Sequence, residues 1–185
     1  MGRHGLRFVL LGLITLVAAG AFIGSRNTGD DNLVAQPSGS STTGQCSNGA
    51  GVSVVIDFGR LRQDQPIAER CVLAADKSTG WQVLQGTGFE ISGTSLYPSG
   101  FVCRIDGQPS PAKEKCEDTP SPTNGSWAYF YADAGSGQKW VFSGAGAGFR
   151  RPTCGSVEGW RFISPGDPAT TPPAETPSVI DCGAE

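Results

Sequence analysis

Trp127, Tyr129 and Tyr131 occupy alternate positions of the stretch GSWAYFYADAGSGQKWVFSGAGAG at 125–148, and Trp140 follows a Gly-Ser-Gly turn. The chain has 4 tryptophans and 3 tyrosines in all, so this one hairpin gathers half of the former and most of the latter. Tyr and Trp combine an apolar ring with a polar tip, which suits a half-wet surface that stacks on a sugar, a corrin ring or a peptide. The same rings could equally be cross-strand pairs of a core. A period of two allows both at once, because adjacent residues of a strand leave on opposite faces. Phe130, flanked by Ala128 and Ala132, is then expected beneath a helix. Trp127, Tyr129 and Tyr131 are expected as an outer, ligand-binding platform beside the glycine-rich connector at 144–148, with Trp140 of the return strand as a further ligand-binding residue.

Catalytic chemistry finds little to work with. The only histidine is His4, inside an N-terminal apolar leader. Hydrolysis would need a Ser with a Lys, or two facing carboxylates. Asp57, Asp76, Asp106, Asp133 and Glu158 are available, but none belongs to a recognisable motif. Asp106 precedes Gly107 and reads as a turn residue, and Asp57 ends a strand and reads as solvent-facing. No catalytic residue can be named, so the expectation is a protein that is not an enzyme. No cofactor is expected. The six cysteines contain no C-x-x-C pair, which argues against structural zinc, and no metal-binding residue is named. The connector GAGAG is not a phosphate loop, for no Lys-Ser/Thr follows it. Asn124-Gly125-Ser126 fits a glycosylation acceptor, but it also fits a plain hairpin entry, which is the reading taken.

The leader places these residues in a compartment. Arg3 and Arg7 precede an uncharged apolar run at 8–23, and Ala19-Gly20-Ala21 has the small-x-small pattern of a cleavage site. A spanning helix needs about 20 apolar residues, so residues 1–25 read as a cleaved signal peptide, with an uncleaved N-terminal anchor as the alternative. Either way the remainder is secreted, or held at the outer face of the cytoplasmic membrane. Cys46, Cys71, Cys103, Cys116, Cys154 and Cys182 all follow the leader. An even count in an oxidising compartment reads as three disulfides, in one of many pairings. Net charge is −3 with Lys and Arg scattered. No basic stripe exists to neutralise phosphates, which excludes nucleic acid as a partner. Membrane contact is expected only through the N-terminal segment.

Between the ends lies one domain's worth of chain. Residues 26–45 are polar and glycine-rich and read as a flexible linker. Residues 164–185 form a Pro/Thr-rich tail expected to be extended, stapled back if Cys182 finds a partner in the domain. Within 46–163, alternation predicts strands at 51–59, 100–107 and 158–163 besides the aromatic hairpin. A short helix is expected over 79–85, capped by Ser78 and stopping at Gly86 or Gly88, with Leu73, Trp81 and Leu84 as its apolar contacts. The expected fold class is α+β: a small, mainly antiparallel β-sheet with one short helix, stapled by disulfides.

Three stretches, GVSVVIDFGRL after Cys46, TGWQVLQGTGFEISGT before GFVCRIDGQP, and the aromatic hairpin running into GSVEGWRF, together resemble a family of short secreted bacterial proteins. They are more distantly similar to the transcobalamin-like C-terminal domain, a β-grasp-like module. The resemblance covers roughly 46–163. It implies a β-grasp-like fold, a binding module of the cell envelope, a corrinoid-like small ligand, and a membrane transporter of the energy-coupling-factor type as partner. The alternative is an envelope-tethered structural or protein-interaction domain with no small ligand. The resemblance also implies the bonds Cys46–Cys71 and Cys103–Cys116, which leaves Cys154 and Cys182 for a private third one.

Overall fold

A computed structural model describes residues 40–182 except 48, 75–76 and 121–122. The apolar leader, most of the linker and Asp76 lie outside the described residues. Among the described residues, eight strands and one short α-helix make a fold that is mostly sheet. The strands are β1 (Ser41–Thr43), β2 (Val52–Asp57), β3 (Ile67–Val72), β4 (Ile91–Gly93), β5 (Val102–Ile105), β6 (Ser126–Ala132), β7 (Val141–Phe142) and β8 (Val157–Ile163). The helix α1 is Gly80–Gln85. Six strands form one sheet in the order β1-β3-β2-β8-β6-β7, and β4 pairs with β5 in a second, two-stranded sheet. Among the described strands only β2 and β8 run parallel; the other pairings are antiparallel, as the alternation implies.

Two strands of the large sheet, β1 and β3, escape a reading by alternation. β3 (IAERCV) has no clean period of two, and all but its last residue are half-buried. β1 falls within the segment read as linker, yet it pairs with β3 through Thr42 opposite Cys71. The helix begins one residue later than expected. Its N-cap is Thr79, not Ser78: the Thr79 side chain accepts from the Gln82 amide, and the Gln82 side chain reaches back to the Thr79 amide. That reciprocal pair satisfies two otherwise orphaned donors. Trp81 and Leu84 are buried as expected, whereas Leu73 is exposed.

One face of the large sheet carries the main core. Val54, Ile56 and Phe58 meet Trp81, Val83 and Leu84 of the helix there, with Trp160 and Phe162 from β8. The opposite face should be wet if β2 alternates, but all six β2 residues are buried. The reason is the C-terminal tail, which lies across that face as a second cover. Val55, Ala132 and Val157 pack there against Trp140 and Val179. Trp140 Nε1 donates to the Glu175 carbonyl at 2.8 Å. Asp57 is 2% exposed, against the expectation that it faces solvent. Its Oδ2 accepts from Arg161 at 2.6 Å and from the Ala174 amide at 2.9 Å. Proline-rich chain suits such a strap, since an extended backbone covers apolar residues without a hydrogen-bonded partner strand.

Disulfides join Cys46–Cys71, Cys103–Cys116 and Cys154–Cys182. The first ties the entry of β2 to β3, the second ties β5 to the following loop, and the third pins the end of the tail beside β8. Three such bonds fit an oxidising, extracytoplasmic environment. Among the described residues no helix is long and apolar enough to cross a membrane.

Candidate functional site

The aromatic hairpin is two-sided, but its faces are the reverse of the expectation. Trp127 and Tyr129 lie in the main core with the helix, 5% and 7% exposed. Tyr129 stacks on Trp160 with centroids 4.4 Å apart. Trp127 meets Phe58 and Phe162 edge-on, and its indole donates to the Gln108 carbonyl at 3.1 Å. Phe130 is not under the helix: it projects to the other face and meets Phe142 at 5.4 Å. Both faces of β6 bear rings and both are covered, so composition could not say which one the helix takes. Tyr131, half-buried, carries the Arg150 guanidinium 3.7 Å above its ring. Trp140 is on the tail side, over Gly159 and beside Pro173, where a β-carbon on Gly159 would come within 2.6 Å of the indole. Trp140 is therefore separated from Trp127 and Tyr129 by the thickness of the sheet.

Burial of these rings is incomplete at one place. β7 pairs only with Phe130 and Tyr131, and one further bond joins the Ser143 amide to the Tyr129 carbonyl. Beyond that point the edge of β6 opens into a groove of about 400 Å³. Its walls include Phe101, Trp127, Tyr129, Phe142 and Trp160, with the backbone of 144–147 along one side, and among the described residues no charged one lines it. The glycines of that connector serve close approach. A β-carbon at Gly146 would sit 2.7 Å from the Gly100 carbonyl oxygen, and one at Gly148 2.9 Å from that of Ser99. The connector also caps the helix, with the Arg150 and Ala147 carbonyls accepting from the Gly80 and Trp81 amides. Groove wall and helix start are thus one unit.

Behind the groove lies a buried polar cluster. Glu158 leaves β8 on the same side as Trp160 and is fully buried. The Tyr129 hydroxyl donates to its Oε2, and Arg150 Nε lies 3.1 Å and 3.2 Å from its two oxygens. Arg150 also reaches Asp133 at 2.6 Å. Burial pushes the Glu158 carboxyl up to about 7; Arg150 and the Tyr129 hydrogen bond oppose that push without cancelling it. Burial, then the Glu158 charge, raise the Tyr129 phenol well above its ordinary value. Burial alone would lower Arg150, but Glu158 and Asp133 outweigh it and hold the guanidinium charged. Both Glu158 oxygens are engaged, by the Tyr129 hydroxyl and the Arg150 guanidinium.

Sequence reasoning did not single out Glu158 for its buried role, nor Arg150 or Trp160. The signal for Glu158 was present: in VEGWRFI it shares a register with Trp160 and Phe162, the two rings that must face the core. An acid on an aromatic inner face needs a buried partner. Asp106 lies in a left-handed turn as expected (φ 52°) and pairs with Arg62.

Comparison of the chain with protein-family models, with curated proteins and with solved structures finds no match.

Proposed function

We propose that this protein is an extracytoplasmic, non-catalytic binding module that captures a small, ring-bearing ligand in the groove between β6 and the 144–147 connector. The observation that carries the reading is the groove itself: aromatic walls, no charged lining residue and about 400 Å³ of space at an incompletely covered sheet edge. Small-ligand pockets have this character, apolar with few polar groups. The full engagement of Glu158 by Arg150 and Tyr129 supports binding over turnover. The resemblance makes a corrinoid the first ligand to test, a transporter the candidate partner, and the helix packed on one sheet face a β-grasp-like arrangement. Export through residues 1–25, by a cleaved signal or an anchor, completes the picture.

Equilibrium dialysis of cyanocobalamin against the oxidised protein and against Ala145→Trp tests it. Ala145 is exposed on the groove wall, so a large ring there fills the groove without disturbing the core. Binding that Ala145→Trp abolishes supports the module. The second reading, an envelope-tethered interaction domain without a small ligand, has its own observation. Phe149 is 81% exposed and Phe142 45% exposed at the two ends of the connector, apolar surface that a protein partner would cover. That reading predicts no saturable small-ligand binding at the groove.

A further inference from the structure

The walls of the groove say more about its occupant than that it is small. None of them is charged, in a chain that is 17% charged, so an ionic ligand would lose its hydration with no counter-charge to meet it. Trp160 is one of those walls and is 2% exposed. Its Nε1–H is a buried donor without a hydrogen-bond partner among the described residues. Buried donors are nearly always satisfied, and an unmade hydrogen bond of this kind is costly. Trp127, by contrast, satisfies its indole internally, as does Trp140. The unused donor thus belongs to the indole that both lines the groove and stacks on Tyr129.

Resting on the binding-module reading above, we infer that the groove takes an uncharged, planar ring compound bearing a hydrogen-bond acceptor, and that Trp160 Nε1–H donates to that acceptor. The volume lies toward the lower end of the roughly 300–1,000 Å³ usual for ligand pockets, which suits a few fused rings. The ring lies along Phe101 and Phe142, and the acceptor reaches inward to Trp160 Nε1, which the groove walls cover in this structure, so a small displacement of those walls accompanies binding. Trp160 sets specificity, and the glycines of the connector let one wall of the groove pack against Ser99 and Gly100.

Three probes with one ring system separate the parts of this inference: 2-acetylnaphthalene, with one carbonyl acceptor; naphthalene, with none; and 2-naphthoate, which is anionic. Titrated into the full oxidised protein, 2-acetylnaphthalene should bind about 5- to 10-fold more tightly than naphthalene, the range expected for one added hydrogen bond, and 2-naphthoate should bind most weakly. By NMR, the Trp160 indole N–H resonance should move downfield with 2-acetylnaphthalene and not with naphthalene. Trp160→Phe keeps a ring and removes the donor, and should level the two neutral probes. If that variant does not fold, conservative Phe variants at Trp81, Trp127 and Trp140 assign the Trp160 resonance by elimination, and the NMR comparison stands alone. Equal binding of the two neutral probes, tightest binding of the anion, or a shift confined to another indole overturns the inference. Cyanocobalamin binding that Ala145→Trp abolishes, with no preference among the naphthalenes, overturns the ligand class and leaves the module intact. Absence of any binding sensitive to Ala145→Trp overturns both.

Discussion

The hydroxyl of Tyr129 donates to the carboxyl of Glu158, and both are buried between the sheet and the start of α1. β6 supplies the phenol and β8 the acid, at positions two residues out of register: Tyr129 lies opposite Trp160, and Glu158 opposite Tyr131. The helix leaves room for this contact by having glycine at its first residue. A β-carbon on Gly80 would come within 2.3 Å of the Tyr129 oxygen. Arg150 closes the cluster from the connector side. One buried polar group therefore joins two strands, the helix start and the groove wall.

This cluster makes stability depend on pH in a direction opposite to that of most acids. Folding raises the Glu158 carboxyl from its ordinary 4.5 to about 7. Between those values the folded protein holds a proton that the unfolded chain has released, so stability must fall as pH rises from about 4.5 to about 7 and then level off. The span corresponds to about 3 kcal/mol. Urea unfolding across that range should show the decline, and Glu158→Gln should flatten it. A native curve and a Glu158→Gln curve of equal slope would refute the assignment.

Gly80→Ala should destabilise by about 1–3 kcal/mol, because the tyrosine oxygen it strikes ends a rigid, hydrogen-bonded ring rather than a loose chain. Tyr129→Phe removes that oxygen, at a cost of about 1–2 kcal/mol for the lost bond to Glu158. The two changes share one cause, so the double variant should be more stable than the sum of the singles implies. Strict additivity in thermal or urea unfolding would place the clash elsewhere.

What could be read from the sequence divides along physical lines. Strands whose alternation meets a single core face, such as β5, were legible, as was the helix from its apolar pair Trp81 and Leu84 and its glycine stop. β2 was legible as a strand but not as one buried on both sides, because its second cover is the tail, and nothing in a Pro/Thr-rich stretch marks which surface it will lie on. β3 was hidden because a half-exposed strand carries Glu69 and Arg70 without a period. The hairpin's rings were legible as two-sided, yet the choice of inner face rests on Gly80 and Glu158, small and polar residues far apart in the chain. Trp160 could be seen as a core aromatic, whereas its unpaired N–H arises only from packing.

Burial on both faces reshapes what the hairpin variants should do. Tyr129→Ala and Phe130→Ala should each cost about 3–5 kcal/mol, since each removes a buried ring. Tyr131→Ala should cost clearly less, because Tyr131 is half-buried and its main contact is the overlying Arg150. Thermal melts of the three variants decide this. A mild Tyr129→Ala beside a severe Phe130→Ala would restore the face assignment expected from the sequence.

The tail should behave as a strap whose end and middle are fastened separately, with Trp140 also holding the Glu175 carbonyl. Its end is held by Cys154–Cys182 and by the Ile180 amide donating to the Gly155 carbonyl at 3.1 Å. Its middle is held by Asp57, which accepts from the Ala174 amide while paired with Arg161. A disulfide closing a loop of this length is worth about 2–4 kcal/mol, so Cys154→Ser with Cys182→Ser should lower global stability by that much. Locally, the Ile180 amide should lose its hydrogen-exchange protection while the Ala174 amide keeps most of its own. Adding Asp57→Asn weakens the ion pair with Arg161 and the anchor at Ala174 together, and should then release the middle of the strap and expose Val55 and Val157. Hydrogen exchange read residue by residue distinguishes the two fastenings. Simultaneous loss of protection at Ile180 and Ala174 on removal of the disulfide alone would mean that the bond at the end, and not Asp57, holds the whole strap against the sheet.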